Sequence, residues 1–165
     1  MGLRVITHDP SLPGEVVQQH GAEPVSLDDL FAQSDFLSIH APATPATRHL
    51  VNAARLRRMK PTSFLINTAR GAIIDQDALF AALSEGWIAG AAFDVFVPER
   101  LPADHPLLAL PNLITTPHVA FYSEESVLEL EVNAARNVAA ILSGRRPESV
   151  VNPEVLSLPR WAHLR

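Results

Sequence analysis

Ionisable or polar side chains follow five short apolar segments of the chain, each at the point where the segment ends. They are Asp9, His40, Thr68 with Arg70, Asp94 with Glu99, and His118. In an open parallel sheet, ligands bind just beyond the carboxyl ends of the strands, so these groups would share one edge if the segments are parallel strands. Random placement would scatter them over both edges. The spacing therefore predicts a single site to which all five segments contribute.

Glu99 and His118 form a candidate acid–base pair. A carboxylate beside an imidazole favours the protonated ring, which can donate its proton to a carbonyl oxygen that is receiving a hydride. In the reverse direction the neutral ring takes the proton of a hydroxyl group. The alternative is a proline-flanked loop histidine without a role, and for one of seven histidines residue type alone favours that interpretation.

Arg70 and Asp9 have chemistry suited to binding. The planar guanidinium of Arg70 can pair with a carboxylate through two hydrogen bonds and polarise a neighbouring carbonyl, although most arginines lie on the surface without such a role. A carboxylate after the second strand of a dinucleotide fold, the place of Asp9, accepts hydrogen bonds from the adenosine ribose and repels a 2′-phosphate. The alternative for Asp9 is a turn residue before Pro10.

Short apolar segments that alternate with amphipathic ones predict the elements that would position these groups. Strands are predicted at residues 3–7, 36–39, 64–66, 88–93 and 113–115. The predicted helix N-caps are Ser26, Asn52 and Asp75, and the longest helical pattern follows Ser123. Asn52 is expected to begin a helix that continues to about Met59. Apolar strands that alternate with helices predict a parallel sheet covered on both faces, which is a doubly wound, Rossmann-like α/β fold.

The predicted fold is incomplete at its start. A dinucleotide-binding domain carries a glycine-rich turn after its first strand, and no segment here matches it. The first strand present already ends at Asp9, so we expect the first strand, the glycine-rich loop and the first helix to belong before Met1. The expected organisation is a partial dinucleotide-binding domain over residues 1–122, a long C-terminal helix of the same unit over 123–144, packed on two sides, and an extended tail over 145–165.

Composition and charge exclude several classes of protein. The net charge of -5 argues against a surface for nucleic acid or for an anionic membrane. The absence of cysteine excludes disulfides and cysteine-ligated metal, and no metal site is predicted. Residues 1–6 lack the basic segment and long apolar run of a signal peptide, so none is expected, and no apolar run approaches the ~18 residues of a membrane span. We expect a soluble, cytoplasmic protein.

Five motifs of the chain resemble those of one known family. They are SDFLSIHAP (34–42), TRHLVN (47–52), FLINTARGAIIDQD (64–77), FDVFVPE (93–99) and TPHVA (116–120). In this order and spacing they resemble the D-isomer-specific 2-hydroxyacid dehydrogenases, and the likeness extends over about residues 5–152. The resemblance implies NAD as cofactor, a small 2-hydroxy or 2-keto acid as substrate, and a homodimer for the full-length protein.

The resemblance also implies a role for each matching residue. Arg70 would bind the substrate, Glu99 would support the histidine and His118 would donate the proton. Asp9 would select NAD over NADP, and Asp94 would lie near the nicotinamide carboxamide. The cofactor-binding residues implied are Asp9, His40, Ala41, Pro42, Thr68, Ala69, Arg70, Asp94, His118 and Ala120.

Residues 120–126 are most similar to the C-terminal-binding-protein branch, whose members are transcriptional corepressors with a dehydrogenase fold. In that branch an aromatic side chain reaches the substrate pocket, and Phe121 occupies its place. The leading hypothesis is an oxidoreductase that transfers a hydride between NAD(H) and a 2-hydroxy or 2-keto acid. The alternatives are an NAD(H)-responsive, corepressor-like binding module without catalysis, and a chain whose missing half is supplied by a separate polypeptide.

The expected strand order generates a prediction for the isolated chain. The first strand of such a sheet lies between the strands that end here at Asp9 and His40. Without it, two strands expose unpaired backbone groups, which invite aggregation or mispairing. We expect the isolated chain to be poorly stable and to show no turnover, as measured by denaturant unfolding and NADH oxidation. A soluble monomer that unfolds cooperatively and turns over a hydroxy acid would contradict this expectation.

Overall fold

A computed structural model describes residues 2–164 of the chain, which divide into a first unit over residues 2–120 and a second over 121–164. The strands of the first unit are β1 (Ile6–Thr7), β2 (Glu23–Pro24), β3 (Phe36–Ile39), β4 (Phe64–Asn67), β5 (Gly90–Phe93) and β6 (Leu113–Thr115). Its helices are α1 (Gly14–Gln19), α2 (Leu27–Gln33), α3 (Ala53–Leu56) and α4 (Gln76–Ser84), with short 3₁₀ helices at Gly71–Ile73 and Pro106–Ala109. The second unit contains α5 (Glu124–Leu142) and 3₁₀ helices at Pro153–Ser157 and Pro159–Trp161.

Every strand pair in the first unit is parallel. Strands β3, β4, β5 and β6 form one sheet in chain order, and β1 pairs with β2 in a second, two-stranded sheet. Parallel strands joined by helices confirm the predicted Rossmann-like α/β class. The strand order expected from the sequence places a further strand between β1 and β3, and in the structure these two strands belong to different sheets.

The core lies on one face of the four-stranded sheet. Along β3 and β4, Leu37, Ile39, Leu65 and Asn67 are buried, while their neighbours in sequence point to the opposite face. Helix α4 covers the buried face with an apolar stripe made of Ala78, Leu79, Ala82 and Leu83. This stripe has the i, i+3, i+4 spacing that places side chains on one side of a helix.

The opposite face of this sheet is open, whereas the sequence predicted cover on both faces. Phe36 is 67% exposed and Ile114 69% exposed, and Phe36 stacks on Phe64 at 5.5 Å between ring centroids. The cause is the strand order. Connections between adjacent parallel strands are right-handed, so stepping from β3 to β6 in one direction places all three connections on the same face.

Local sequence signals predicted where the helices begin more accurately than they predicted how long the helices and strands are. The side chains of Ser26, Asn52, Asp75 and Ser123 each accept a hydrogen bond from a backbone N–H of the helix that follows. The predicted strand over residues 3–7 shortens to Ile6–Thr7, because β1 pairs with β2 over only two residues. The predicted helix to Met59 ends at Leu56, with Arg57 as its C-cap.

The second unit differs from the expected organisation. No residue of α5 is buried, although its broad apolar stripe predicted packing on two sides. The segment after it was expected to be extended. It contains two 3₁₀ helices, and Asn137 of α5 accepts a hydrogen bond from the Glu148 N–H, which ties the segment to the helix. Over residues 2–164, no helix combines the length and apolar character needed to cross a membrane.

Neighbouring substitutions in β3 test the difference between the two faces. We expect Leu37→Ala to lower the free energy of unfolding by about 2–5 kcal/mol, because the side chain is only 3% exposed and its removal leaves a cavity. Phe36→Ala, one residue away on the open face, should cost about 1 kcal/mol or less. Urea unfolding of both variants checks this, and equal costs would show that the Phe36 face is covered in solution.

Candidate active site

The carboxyl ends of β3 to β6 lie along one edge of the sheet, because the four strands are parallel and in register. His40 directly follows β3, Arg70 follows β4, Asp94 follows β5 and His118 follows β6. The structure thus places at one edge the side chains of four of the five segments that the sequence predicted there, and the fifth segment is the exception. Asp9 follows β1 in the other sheet.

A cleft of about 530 Å³ opens between the segments that follow β3 and β4. The residues that line it are His40, Ala41, Pro42, Ala43, Thr68, Ala69 and Arg70. All except Ala43 were predicted to bind the cofactor or substrate. The Thr47 hydroxyl, which sequence reasoning did not select, donates to the Pro42 carbonyl at 2.6 Å and accepts from the Thr44 N–H at 2.8 Å. These bonds close the loop that forms one wall of the cleft.

Arg70 is exposed, and a buried asparagine shapes the turn that carries it. The Asn67 side chain accepts from the Ala69 N–H at 3.0 Å and donates to the Arg70 carbonyl at 3.1 Å. The guanidinium donates through Nη1 to the Ala69 carbonyl at 2.6 Å, its one partner among the described residues. Its remaining N–H groups are therefore available to a ligand.

Gly71 brings the Arg70 turn against a neighbouring segment of backbone. A Cβ atom at this position would lie 2.4 Å from the carbonyl carbon of Phe96, a separation that real Cβ atoms essentially never show. Phe96 lies three residues before Glu99. Close approach of two backbones is a frequent reason for glycine, and here it joins the Arg70 turn to the segment that carries the glutamate.

The Glu99 carboxylate is hydrogen-bonded to Nδ1 of His118, so the structure brings together the pair that the sequence singled out. Both side chains are about half exposed. Because Nδ1 is occupied by the carboxylate, the orientation of the ring is set and Nε2 is left for a second partner. This is the arrangement in which a carboxylate stabilises the imidazolium form of a general acid.

Asp94 builds the turn that carries His118. Its carboxylate is buried and accepts hydrogen bonds from the Thr116 hydroxyl, from the Val119 N–H at 2.8 Å and from the Ala120 N–H at 2.9 Å. Its backbone carbonyl accepts from the His118 N–H at 2.9 Å. His118 has a φ of 58°, a left-handed conformation that is uncommon outside glycine and needs support from its surroundings.

The same contacts determine the acidity of Asp94. Burial raises the pKa of its carboxyl group, but the hydrogen bonds from Thr116, Ala120 and Val119 and the nearby charge of His118 outweigh burial, so the pKa lies below the ordinary value of 3.8. The carboxylate is therefore ionised at neutral pH. The family resemblance implied a position for Asp94 beside the nicotinamide, and the structure gives it a further set of partners inside the protein.

Other predicted residues lie apart from this cluster. The exposed Asp9 carboxylate accepts from the Ser11 N–H through Oδ1 at 2.8 Å. Phe121 belongs to the second unit, so its expected contact with substrate stays a prediction. Within residues 2–164, no group of three or more histidine, aspartate or glutamate side chains could hold a metal ion.

A parallel α/β sheet with a cleft and an imidazole–carboxylate pair at its carboxyl edge defines a Rossmann-like domain with a ligand site. The sequence profile of the D-isomer specific 2-hydroxyacid dehydrogenase, NAD binding domain, matches residues 1–120. The chain belongs to this family, and the matching part is the NAD-binding domain.

Individual relatives agree with the family. The chain is 46% identical to the glyoxylate reductase of Aeropyrum pernix over 157 residues, which cover 95% of this chain and 47% of the relative. It is 40% identical to the D-3-phosphoglycerate dehydrogenase of Methanocaldococcus jannaschii, covering 92% of this chain and 29% of that protein. The crystal structure of D-lactate dehydrogenase with NAD+ from Lactobacillus jensenii matches with a TM-score of 0.82 and 30% identity, covering 91% of this chain and 48% of that one.

These relatives also bear on the finer predictions. The chain spans less than half the length of each of them. They are named as glyoxylate reductase, phosphoglycerate dehydrogenase and lactate dehydrogenase, so the predicted likeness to the corepressor branch is not supported. The corepressor-like alternative for the function rested on that likeness, so it is not supported either.

Asp94→Asn tests the carboxylate that holds the His118 turn. We expect the free energy of unfolding at neutral pH to fall by about 1–3 kcal/mol, because the amide nitrogen that replaces one carboxylate oxygen cannot accept the hydrogen bonds that this oxygen receives from the turn. Since the pKa of the folded carboxyl lies below 3.8, its contribution is complete above about pH 5 and is lost as the pH falls through the folded pKa. The difference in the free energy of unfolding between the parent chain and the variant should therefore become smaller below about pH 4.

Urea unfolding at several pH values measures this gap. Asp77→Asn is the matched control, because Asp77 is exposed on α4 and makes no side-chain hydrogen bond within the described residues. It should change the free energy of unfolding by no more than about 0.5 kcal/mol at neutral pH. A gap for Asp94→Asn that stays constant down to about pH 2 would contradict the assignment.

Proposed function

We propose that this chain supplies the cofactor-binding and catalytic part of an NAD-dependent dehydrogenase that interconverts a small 2-keto acid and its 2-hydroxy acid. The observation that carries the proposal is the hydrogen bond between Glu99 and His118 at the sheet edge that also bears Arg70. Glyoxylate reductases of Aeropyrum pernix and Thermofilum pendens, 46% and 51% identical to the chain, favour glyoxylate or a 2-keto acid of similar size as substrate.

The residues at the cleft suit the ribose and nicotinamide portions of NAD. A volume of about 530 Å³ is within the usual range for small-molecule sites, and its lining combines apolar surface with the Thr68 hydroxyl and the His40 ring. The residues that would hold the cofactor are those of the cleft, His40, Ala41, Pro42, Thr68, Ala69 and Arg70, together with Asp94, His118 and Ala120, which follow β5 and β6. When bound, NADH supplies the hydride for the carbonyl carbon of the keto acid.

Asp9 favours NAD over NADP in this proposal. One carboxylate oxygen is engaged by the Ser11 N–H, and the other can accept hydrogen bonds from ribose hydroxyls. The negative charge of the side chain would repel a 2′-phosphate. An exposed turn aspartate at the end of a parallel strand is suited to this selection.

Arg70 and His118 would act on the two polar ends of the substrate. The guanidinium N–H groups not used by Ala69 can form two parallel hydrogen bonds with the carboxylate of a 2-keto acid. The protonated His118 ring donates its Nε2 proton to the carbonyl oxygen while the carbonyl carbon accepts the hydride, so the product is a hydroxyl group. Glu99 holds Nδ1 and stabilises the ring cation before transfer. Oxidation of the hydroxy acid reverses each step.

NADH titration and turnover together test the proposal. We expect NADH to change the fluorescence of the chain more strongly than NADPH at equal concentration, because Asp9 repels the additional phosphate. Turnover is measured from NADH oxidation with glyoxylate. The assay uses the chain alone and the chain fused to the part of the Aeropyrum pernix enzyme that the match does not cover.

In whichever form is active, His118→Asn should lower kcat by a factor of about 10²–10⁴, the usual contribution of a general acid. His20→Asn is the matched control, since His20 is exposed at the end of α1 and far in sequence from the sheet edge. Equal turnover of the His118 and His20 variants would exclude the proton-transfer role. If neither parent form binds NADH, the cofactor assignment is wrong.

A further inference from the structure

Gln76 makes two hydrogen bonds to the backbone of a single distant residue, Val97. Its side-chain nitrogen donates to the Val97 carbonyl at 2.9 Å, and its side-chain oxygen accepts from the Val97 N–H at 2.7 Å. A primary amide that engages both polar groups of one residue fixes that residue much as a neighbouring strand would. Val97 lies two residues before Glu99 in the chain.

The segment that contains Val97 has little other support at this point. Val97 is 54% exposed, so apolar packing of its side chain contributes little. The preceding residue, Phe96, is buried, and Gly71 packs against its backbone. Glu99 itself is about half exposed, and His118 is its one hydrogen-bonding partner among the described residues. Beyond Phe96, the amide of Gln76 is therefore the anchor of the segment that leads to Glu99.

Gln76 stands on a rigid element. It is the first residue of α4, whose Leu79 and Leu83 are buried in the core. The N-terminus of that helix is already capped, because the Asp75 side chain accepts from the Ala78 N–H. Gln76 makes no cap hydrogen bond within the described residues, so both of its polar atoms serve Val97.

We propose that Gln76 is a positioning residue: by holding the backbone of Val97, it sets the Glu99 carboxylate against Nδ1 of His118. The significance of this placement rests on the proposed function, in which Glu99 and His118 are the acid–base pair. The placement itself is a property of the chain and can be measured without cofactor or substrate. A glutamine at the start of α4 thus connects the core to the proton donor through a contact 21 residues away in sequence.

The ring nitrogens of His118 provide the readout. Their ¹⁵N chemical shifts in the full chain report whether Nδ1 is hydrogen-bonded to a carboxylate, and Glu99→Gln gives the reference for loss of that partner. In Gln76→Ala we expect the Nδ1 shift to move from the parent value toward that of Glu99→Gln. The Val97 amide should also exchange with deuterium at least about tenfold faster, because it loses its acceptor. Gln76→Glu keeps the acceptor but loses the donor, so its effect should be intermediate.

Gln18→Ala is the matched control, because Gln18 is an exposed helical glutamine that makes no side-chain hydrogen bond within residues 2–164. It should leave the His118 shifts at the parent values. The proposal is overturned if Gln76→Ala leaves Nδ1 unchanged, if the Gln18 control moves it equally, or if Glu99→Gln itself does not move it.

Turnover separates this proposal from the function proposed above. In a form that oxidises NADH with glyoxylate, Gln76→Ala should lower kcat by about three- to tenfold with little change in KM, since the residue touches neither substrate nor cofactor. A loss of kcat/KM that comes entirely from a higher KM would overturn the positioning role. If no form turns over but the Nδ1 shifts behave as expected, the dehydrogenase proposal fails and the positioning of Glu99 by Gln76 stands.

Discussion

The site depends on one buried charge, the carboxylate of Asp94. A carboxylate that is only 4% exposed would be strongly unfavourable if left without partners. Asp94 has three, all from the turn over residues 116–120. These hydrogen bonds compensate its burial and fold the turn around it, and they support a left-handed backbone at His118. The position of the proposed acid is therefore set by a residue whose carboxylate binds the turn and, among the described residues, makes no hydrogen bond to the ring.

A second constraint connects the two sides of the proposed chemistry. The Arg70 turn is shaped by Asn67 from inside, and Gly71 then lies directly against the backbone of Phe96. The segment that begins at Phe96 leads to Glu99. Because the two backbones touch, a shift in one segment displaces the other. The group proposed to bind the substrate and the group that supports the proton donor thus share one packing contact.

The features that the sequence revealed depend on local rules. A serine, asparagine or aspartate before an amphipathic stretch is a local signal for the start of a helix, and the three predicted N-caps, Ser26, Asn52 and Asp75, are confirmed. The parallel sheet was predicted from apolar segments that alternate with helices. The polar residues that follow the strands then indicated which edge of the sheet carries the site. The pair of Glu99 and His118 was predicted because a carboxylate and an imidazole together can act as an acid–base pair. In the structure the two side chains are in contact.

The supporting residues were missed for an equally physical reason. Asn67 and Gln76 act on backbone atoms, and backbone atoms are the same in every residue, so no side-chain pattern identifies the partner. Gln76 in particular is an ordinary polar residue in the first turn of a helix. Its role depends on the path of a segment 21 residues away. Only coordinates supply that path.

The open face of the sheet shows which parts of the fold the site requires. The sequence predicted cover on both faces because the strands are apolar throughout, and the first unit buries only one. Asn67, Phe93 and Asp94 are buried on or directly after strands whose inner face packs against α4, and Phe96 is buried close by. Phe36 and Phe64, on the open face, make none of the hydrogen bonds that position Arg70, Glu99 or His118. The geometry of the proposed acid–base pair therefore depends on the covered face of the sheet and on the turns at the sheet edge. It does not depend on what packs against the open face.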